Sequence, residues 1–473
     1  MPKQGSSNPQ TVAVVLAAGQ GTRMRSSRPK PLHAVGGRPM LSWVLDAAGD
    51  AGCTSIFVVV GHRADEVRQV VEAMRDEGDP PVAFVEQLEQ LGTGHALAQA
   101  ESHVDPKATI LVLSGDVPLV RPATLRRLAD AAAEGWGAMA TATLEEPGSL
   151  GRVLARGDDA DRLERIVEAR DASPAELAVH RINAGLYALP AGVFDDLRRV
   201  GTANAQGEIY LTDALGLAAA DGRTIALVEL EDPSEALGVN DRHDQTRVHQ
   251  RLVRRHLDQL MADGVTILDP DRTTVEPTAR VGTDTILHPG VSLLGHTTVG
   301  SGCILHQGAW LRDVRLADDV EILPYSVLES CEVRSDVAVG PFGRVRPASV
   351  LLEGSRVGNF VELKKTILGR GAKASHLTYL GDSEVGDGAN IGAGTITCNY
   401  DGKNKNRTEI GAGAFIGSDT MLIAPVRVGE RATTGAGSTI TQDVPDDALA
   451  VGRARQRIIP DWTERKARGE KDG

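Results

Sequence analysis

The sequence has few aromatic residues and no excess of positive charge. Its 473 residues include 4 Trp, 5 Tyr and 6 Phe, together 3% of the chain, and its 51 Lys and Arg face 64 Asp and Glu, for a net charge of −13. Nucleic-acid binding needs a basic surface, and binding of single strands also uses aromatic side chains on which bases stack. The composition therefore argues against a nucleic-acid partner.

Closely spaced cysteines are also missing. The chain has four cysteines, far apart in sequence: Cys53, Cys303, Cys331 and Cys398. No C-x-x-C pair occurs, which argues against a cysteine-based zinc site and against a disulfide framework. The spacing is typical of reduced thiols in a cytosolic protein.

Long hydrophobic runs are absent as well. No apolar run approaches the ~18 residues that a membrane-spanning helix needs. Residues 12–18 are apolar, but the segment before them is polar with only Lys3 charged, unlike the basic start of a signal peptide. We therefore predict a cytoplasmic enzyme without a membrane partner.

Length and hydrophobic pattern together indicate more than one domain. A chain of 473 residues is too long for one ordinary core. Apolar runs at 12–17, 56–60 and 110–113 alternate with helical patterns at 40–52 and 64–74. Such runs are typical of parallel strands buried on both faces. The pattern predicts a Rossmann-like α/β domain with ligands bound beyond the carboxyl ends of its strands.

A charged stretch follows this first domain. Residues 241–262 interleave leucine and arginine in a pattern that predicts one exposed helix, and Asp263-Gly264 is a plausible end for it. We therefore predict a first domain at 11–240 and a connector helix at 241–264.

From residue 265 onwards, aliphatic residues recur at every sixth position. A helix of 3.6 residues per turn cannot keep that period on one face, and a simple strand repeats every two residues. Hexads are typical of a parallel β-helix, in which each six residues form a short strand and a corner. Residues 275–440 correspond to about nine coils of 18 residues. The series are Val275, Val281, Leu287, Leu293, Val299, Leu305 and Leu311, then Val327, Val333, Val339, Val345, Leu351, Val357 and Leu363, and finally Ile410, Ile416, Leu422, Val428, Thr434 and Ile440.

Glycine often follows the aliphatic residue, as at Gly282 and Gly300. We attribute these glycines to tight corner conformations that a Cβ would resist. The pattern predicts a left-handed parallel β-helix of hexapeptide repeats over 265–455, followed by a charged, mobile tail at 456–473. One face of such a prism is commonly buried against other copies, and a three-fold ring is a natural closed arrangement, so we predict a homotrimer.

A glycine-bearing loop follows the first predicted strand. It reads Leu16-Ala17-Ala18-Gly19-Gln20-Gly21-Thr22-Arg23-Met24. Its glycines let backbone N–H groups approach phosphate oxygens, and Arg23 and Lys30 add positive charge. The loop is neither G-x-G-x-x-G nor a Walker motif, which weakens dinucleotide and ordinary ATPase interpretations.

The whole string resembles the signature of sugar-phosphate nucleotidyltransferases. More narrowly, it resembles the bifunctional N-acetylglucosamine-1-phosphate uridylyltransferase/glucosamine-1-phosphate N-acetyltransferase family (GlmU type). The resemblance runs from residue 11 to 457 and includes the domain order. It implies that acetyl-CoA acetylates glucosamine-1-phosphate, and that UTP and Mg²⁺ then convert N-acetylglucosamine-1-phosphate to UDP-N-acetylglucosamine with release of pyrophosphate.

In the first half, the resemblance implies a magnesium site and a nucleotide–sugar site. Asp116 and Asn240 are the implied Mg²⁺ ligands, although Asp116 taken alone would be typical of a turn. Oxygen ligands and a lysine suit the negative charge of a phosphoryl transfer. Ser114 stands where some relatives carry an aromatic residue. The residues implied to contact UTP or the sugar are Leu16, Ala17, Ala18, Gly19, Arg23, Lys30, Gln87, Gly92, Thr93, Ser114, Gly115, Gly151, Glu168, Asn183 and Asn240.

In the second half, the resemblance implies His376 as the general base, a task that suits an imidazole. The insertion at 399–408 interrupts the hexads and is of a kind that can reach a neighbouring subunit. The residues implied to bind glucosamine-1-phosphate are Arg346, Lys364, Tyr379 and Asn390, and those implied to contact acetyl-CoA are Ala393, Asn399, Tyr400, Ser418, Ala436 and Arg453.

Three alternatives stay open at the level of sequence. The chain could be a nucleotidyltransferase with one activity, whose β-helix serves only oligomerisation. It could be a trimeric scaffold without activity. It could also be a zinc-dependent β-helix enzyme similar to carbonic anhydrase, although His288, His296 and His306 do not follow the hexad spacing.

Overall fold

The computed structural model describes residues 10–148, 150–157, 159–202, 204 and 207–469. The chain divides into two compact units, one ending at Leu252 and the other beginning at Val253. This boundary falls inside the connector predicted at 241–264, and the predicted domain bounds themselves stay predictions.

The first unit is built around one mixed sheet. In the described residues its order is β5-β4-β1-β6-β10-β7-β11-β9-β8, and β2 and β3 form a separate hairpin. Strands β5, β4, β1 and β6 are parallel, whereas β10 runs antiparallel to β6 and β7. The three predicted strands are confirmed. The strands are β1 (Thr11–Leu16), β2 (Ala34–Val35), β3 (Arg38–Pro39), β4 (Ile56–Val60), β5 (Val82–Glu86), β6 (Thr109–Ser114), β7 (Gly137–Thr143), β8 (Arg152–Arg156), β9 (Asp159–Val167), β10 (Arg181–Pro190) and β11 (Ile225–Glu229).

Helices cover both faces of this sheet, so its central strands are buried on both sides. Along β1, Val12 and Val14 belong to one apolar layer, and Ala13 and Val15 belong to the other. The two predicted helices are confirmed to within two residues. The helices of the chain are α1 (Met40–Asp50), α2 (Ala64–Ala73), α3 (Thr93–Ala98), α4 (Pro122–Ala133), α5 (Pro174–Leu177), α6 (Val193–Leu197), α7 (Leu211–Ala220), α8 (Arg242–Ala262) and α9 (Trp462–Ala467).

Helix α8 is the predicted connector, but it is not simply exposed. Val248 and Leu252 are buried in a small apolar cluster of the first unit. Leu257 and Leu260 are buried in the core of the second unit. The prediction of an exposed helix is therefore wrong for Leu252, Leu257 and Leu260, whose side chains are buried.

The second unit is a parallel β-helix, as predicted, and its handedness stays a prediction. In the described residues it has three parallel sheets of eleven, ten and nine strands, which we call sheets A, B and C. Sheet A contains Thr266–Ile267, Ile286–Leu287, Ile304–Leu305, Glu321–Ile322, Ala338–Val339, Arg356–Asn359, Lys373–His376, Asn390–Ile391, Phe415–Ile416, Thr433–Thr434 and Leu449–Ala450. Sheet B contains Thr274–Val275, Ser292–Leu294, Trp310–Arg312, Val327–Glu329, Arg344–Val345, Glu362–Lys364, Tyr379–Gly381, Ile396–Cys398, Met421–Ile423 and Thr439–Ile440. Sheet C contains Arg280–Val281, Thr298–Val299, Arg315–Leu316, Glu332–Val333, Val350–Leu351, Ile367–Leu368, Ser383–Val385, Thr408–Ile410 and Val426–Val428.

The hexad prediction needs one correction in register. In the strand Val327–Glu329 the fully buried residue is Leu328, and Val327 is only partly buried. The reason is that the repeat shortens to five residues between Leu311 and Leu316 and again between Leu328 and Val333. A strict count of six therefore selects the wrong neighbour.

The predicted reason is wrong for the corner glycines Gly282 and Gly300, whereas Gly340, which follows Val339, does have a positive φ of 111°. Gly282 and Gly300 do not have a left-handed backbone. A Cβ on Gly282 would instead lie 2.7 Å from the backbone carbon of Gly300 in the next coil. The left-handed residue comes three positions after the aliphatic one, for example at Asp284 and Gly290. Glycine is needed here because successive coils approach each other closely.

The predicted tail contains the short helix α9, and residues 470–473 lie outside the described residues. Among the helices that are described, none combines the length and apolar character needed to span a bilayer.

Substitution of a corner glycine tests the close approach of the coils. The Cβ of Gly300→Ala would lie 2.6 Å from the backbone carbon of Ala317, so we expect a loss of about 1–3 kcal/mol in the free energy of unfolding. Gly216→Ala in α7 is the control, because its Cβ meets no atom within 4 Å and alanine favours a helix. Chemical denaturation measures both, and equal stability of Gly300→Ala and wild type would contradict this reason for glycine.

Candidate active sites

The first candidate site is an open cavity of about 460 Å³ beyond the carboxyl ends of β1 and β6. Leu16 lies opposite Ser114 in this parallel pair, and the N–H of Gly115 donates to the Leu16 carbonyl at 2.9 Å. The volume is typical of a small-molecule site. The cavity brings together many of the predicted residues: Leu16, Ala17, Ala18, Gly19, Lys30, Gln87, Gly92, Thr93, Ser114, Gly115 and Asp116.

The carboxylate of Asp116 has two side-chain partners in this cavity. Lys30 Nζ forms an ion pair with Oδ2, and the Ser114 hydroxyl donates to Oδ1 at 2.7 Å. Ser114, which was predicted to contact the nucleotide, thus contacts the predicted metal ligand. This contact could not be predicted from the residue pattern.

A backbone hydrogen bond joins the segment that contains Asn240 to Asp116. The N–H of Val239 donates to the Asp116 carbonyl at 2.9 Å, and Arg23 Nη2 donates to Asn240 Oδ1 at 2.9 Å. Carboxylate and amide oxygens are ligands that Mg²⁺ prefers, and Mg²⁺ usually needs only one or two of them beside water and phosphate. The described part of the chain has no group of three His, Cys, Asp or Glu side chains that could hold a metal. The donor set therefore fits Mg²⁺ better than a metal that requires a full protein cage.

Two glutamines, Gln87 and Gln90, line the same cavity and contact its backbone. Gln87 Nε2 donates to the Gly92 carbonyl at 3.2 Å, and Gln90 Nε2 donates to the Ala18 carbonyl at 3.1 Å. A Cβ on Gly61 would lie 2.8 Å from that same Ala18 oxygen, so Gly61 leaves room for this contact. Gln90 was not among the predicted residues because its partner is 72 positions away.

The predicted sugar contacts form a second group. The N–H of Asn183 donates to the Gly151 carbonyl at 2.9 Å, and a Cβ on Gly151 would lie 3.3 Å from Glu168 Oε1. None of these three residues lines the cavity around Asp116. Burial raises the pKa of Glu168, and the carboxylates of Asp213 and Asp171 raise it further.

Removal of one of these carboxylates tests this electrostatic cause. Asp213→Asn should lower the pKa of Glu168, which should still exceed that of a free glutamate because burial has the larger effect. Carboxyl NMR across a pH titration measures the change. Asp195→Asn is the control, because that side chain is exposed and pairs with Arg198. An unchanged Glu168 titration in Asp213→Asn would contradict the assigned cause.

The second candidate site lies where the chain turns from sheet A to sheet B. His376 ends one strand and Tyr379 begins the next. Asn359 lies beside His376 in the preceding coil, and its Oδ1 is 2.8 Å from His376 Nδ1. A carboxamide oxygen only accepts, so the neutral ring carries its proton on Nδ1 and leaves Nε2 able to accept one. Asn359 was missed because it precedes His376 by 17 residues.

Positive charge collects on the outer face of sheet B. Val345 and Leu363 are partners in the parallel register of neighbouring strands. Arg346 directly follows Val345, and Lys364 directly follows Leu363. The neighbouring ammonium of Lys405 lowers the pKa of Lys364, with further contributions from burial and from Arg346. Glu362 offsets part of this charge through an ion pair with Arg346 at 2.8 Å. Lys405 belongs to the insertion and was missed, because only folding brings it to Lys364.

The predicted acetyl-CoA contacts follow one corner of the prism. The N–H of Asp419 donates to the Ala393 carbonyl, and that of Gly437 donates to the Ser418 carbonyl, both at 2.7 Å. Ala393, Ser418 and Ala436 therefore occupy the same corner as His376 in later coils. A Cβ on Gly437 would lie 3.9 Å from the Cδ of Arg453, so Arg453 comes close to this corner.

The other predicted residues are less directly connected. Asn390 lies beside Lys373 in sheet A. The Asn399 side chain is buried and donates to Asp382 Oδ2 at 2.6 Å, whereas the Tyr400 hydroxyl donates to the Gly402 carbonyl at 2.7 Å.

The histidines of the zinc alternative do not form a metal site. His288 and His306 stack with ring centroids 4.9 Å apart, and His306 Nε2 lies 2.9 Å from Glu321. No metal-binding group was found around them in the described residues, so nothing in the structure supports this alternative.

Comparison with known proteins agrees with this two-part arrangement. Residues 13–202 match the MobA-like NTP transferase domain, and residues 407–442 match the bacterial transferase hexapeptide (six repeats). The "Bifunctional protein GlmU" of Pelobacter propionicus is 46% identical over 455 residues, which cover 95% of this chain and 97% of that protein. The "Bifunctional protein GlmU" of Alkalilimnicola ehrlichii is 47% identical over 461 residues, which cover 97% and 98%. The chain belongs to the GlmU family. Because the GlmU match extends over both units, the prediction of a bifunctional transferase is confirmed. The match does not support the alternatives of an inactive scaffold or of a chain with a single activity.

Proposed function

We propose that the two units catalyse successive steps in the synthesis of UDP-N-acetylglucosamine. The second unit acetylates glucosamine-1-phosphate with acetyl-CoA, and the first unit transfers a uridylyl group from UTP to the product. The observation that carries this proposal is the separation of two unlike residue sets. Lys30 and Asp116 meet at the cavity of one unit, and an imidazole stands beside clustered cations in the other.

In acetyl transfer, the sugar amine attacks the thioester carbonyl of acetyl-CoA. A carbon–nitrogen bond forms, the carbon–sulfur bond breaks, and CoA leaves. His376 Nε2 takes the proton that the amine gives up, which is the role of a general base. Arg346, Lys364, Tyr379 and Asn390 hold the sugar phosphate, and the corner residues Ala393, Ser418 and Ala436 contact acetyl-CoA together with Asn399, Tyr400 and Arg453.

In uridylyl transfer, a phosphate oxygen of N-acetylglucosamine-1-phosphate attacks the α-phosphorus of UTP. The bond from that phosphorus to the β-phosphate oxygen breaks, and pyrophosphate leaves. Lys30 and Arg23 offset the phosphate charge, and the cavity walls align the two substrates, so no protein nucleophile is needed. Asp116 and Asn240 would hold Mg²⁺, which supplies further charge neutralisation when bound.

Two substitutions separate the two reactions. Asp116→Ala should abolish pyrophosphate release but leave CoA release intact, because its carboxylate belongs only to the first site. His376→Ala should lower CoA release by about 10²–10⁴-fold and spare pyrophosphate release. Both products are measured on the full chain, with Asp130→Ala and His296→Ala as exposed controls. Loss of both activities in either folded variant would contradict the two-site assignment, and unchanged CoA release in His376→Ala would contradict the role of His376 as the general base.

We also infer that the chain forms a homotrimer. Four large side chains, Tyr325, Phe342, Phe360 and Leu377, occupy the same corner of successive coils and are between 47% and 62% exposed. The three aromatic rings stack with centroids 5.5 and 5.3 Å apart. An apolar ridge of this kind is typical of an interface, and closed symmetry is usual for identical copies. We further propose a cytoplasmic location, because all four cysteines are free thiols.

The apolar ridge gives the test of assembly. Phe342→Glu and Phe360→Glu should convert a trimer to monomers in sedimentation equilibrium, because a carboxylate would be buried in the interface. Leu88→Glu is the control, since Leu88 is exposed but lies in the first unit. A monomeric wild type, or a trimer that survives both substitutions, would contradict the inference.

A further inference from the structure

His33 connects the residues of the first site through contacts that the proposed chemistry does not use. It is 4% exposed, and its N–H donates to the Lys30 carbonyl at 3.2 Å. Its Nδ1 lies 3.1 Å from Nη1 of Arg242, which is two residues beyond Asn240. The imidazole thus joins the turn that carries Lys30 to the first turn of α8.

These contacts form a closed ring of interactions that passes through Asp116. Lys30 pairs with the Asp116 carboxylate, and the Asp116 carbonyl accepts from Val239, the neighbour of Asn240. From Asn240 the chain leads to Arg242, then through His33 back to Lys30. His33 and Arg242 are 209 positions apart, and their contact closes the ring, while Gln245 with Ala34 and His249 with Gly36 also link the two segments.

The chemistry of the pair fixes the state of the imidazole. A guanidinium only donates hydrogen bonds, so Nδ1 must accept and the ring proton must be on Nε2. Burial lowers the pKa of His33, and the charges of Arg242 and Arg28 lower it further. The neutral imidazole therefore keeps its proton on Nε2, because a proton on Nδ1 would point at the Arg242 guanidinium, which is itself a donor.

We propose that His33 and Arg242 are positioning residues that hold Lys30 and Asn240 in place on the two sides of Asp116. This inference rests on the proposed function of the first site. Lys30 lies on a single short turn, Lys30–Leu32, and His33 directly follows that turn. Loss of the contact between His33 and Arg242 should therefore weaken metal binding, although no metal ligand is changed.

Binding of Mn²⁺ to the full chain, with UTP present and no sugar phosphate, measures this effect without turnover. His33→Ala and Arg242→Gln should each weaken Mn²⁺ binding about tenfold, as substitutions behind metal ligands typically do. The double variant should be no weaker than either single one, because both remove the same contact. Release of CoA by the second unit should be unchanged.

Two further variants distinguish positioning from general stability. His33→Asn keeps an acceptor oxygen near the position of Nδ1 and should restore most of the Mn²⁺ affinity. His249→Ala removes another contact between α8 and the same hairpin, the 3.1 Å bond from the N–H of Gly36 to His249 Nδ1, but lies outside the ring. It should bind Mn²⁺ as wild type does.

The outcomes distinguish the positioning role of His33 and Arg242 from the proposed metal site itself. Wild-type Mn²⁺ binding in Arg242→Gln, or an equal loss in His249→Ala, would overturn the positioning role. If His33→Ala fails to fold, Arg242→Gln and His33→Asn still decide the question, since Arg242 is exposed. Undiminished Mn²⁺ binding in Asp116→Ala would instead overturn the metal site, and the inference with it.

Discussion

Parallel pairing of strands is the constraint on which both sites depend. Parallel strands bring equivalent ends of distant segments together, at a spacing of about 4.8 Å between neighbours. In the first unit this pairing sets Leu16 opposite Ser114, so that the glycine-bearing loop after β1 and the Asp116 turn share one cavity. In the second unit it sets Asn359 beside His376 and thereby selects the nitrogen that can accept a proton. Neither arrangement would survive a shift of register by one residue.

Local charge runs against the overall charge at both sites. The chain carries a net −13, yet cations lie at each proposed site. In the first, Lys30 and Arg23 contact the oxygen atoms of Asp116 and Asn240. In the second, Lys405 and Arg346 lower the pKa of Lys364. Under the proposed assignment, this local positive charge would favour phosphorylated substrates, which the net charge of the chain does not.

Much of the fold could be predicted because its periodicities are local. The run at 56–60 predicts a buried strand from five consecutive residues, and the hexads predict a β-helix from short repeats. The error at Val327 arose where the repeat shortens to five residues, which aliphatic spacing cannot reveal because Leu328 is an equally good candidate. Contacts of long range escaped prediction for a different reason. Asn359 with His376, Lys405 with Lys364, and His33 with Arg242 are juxtaposed only by tertiary structure.

The most direct test of two separate sites is diffraction from one crystal of the full chain. The crystal would contain UTP and Mn²⁺ together with glucosamine-1-phosphate and CoA, a mixture without an acetyl donor. The account predicts an anomalous peak between Asp116 and Asn240 and a sugar amine within hydrogen-bond reach of His376 Nε2. A metal peak away from these two oxygen ligands, or a sugar whose amine faces away from that imidazole, would contradict it.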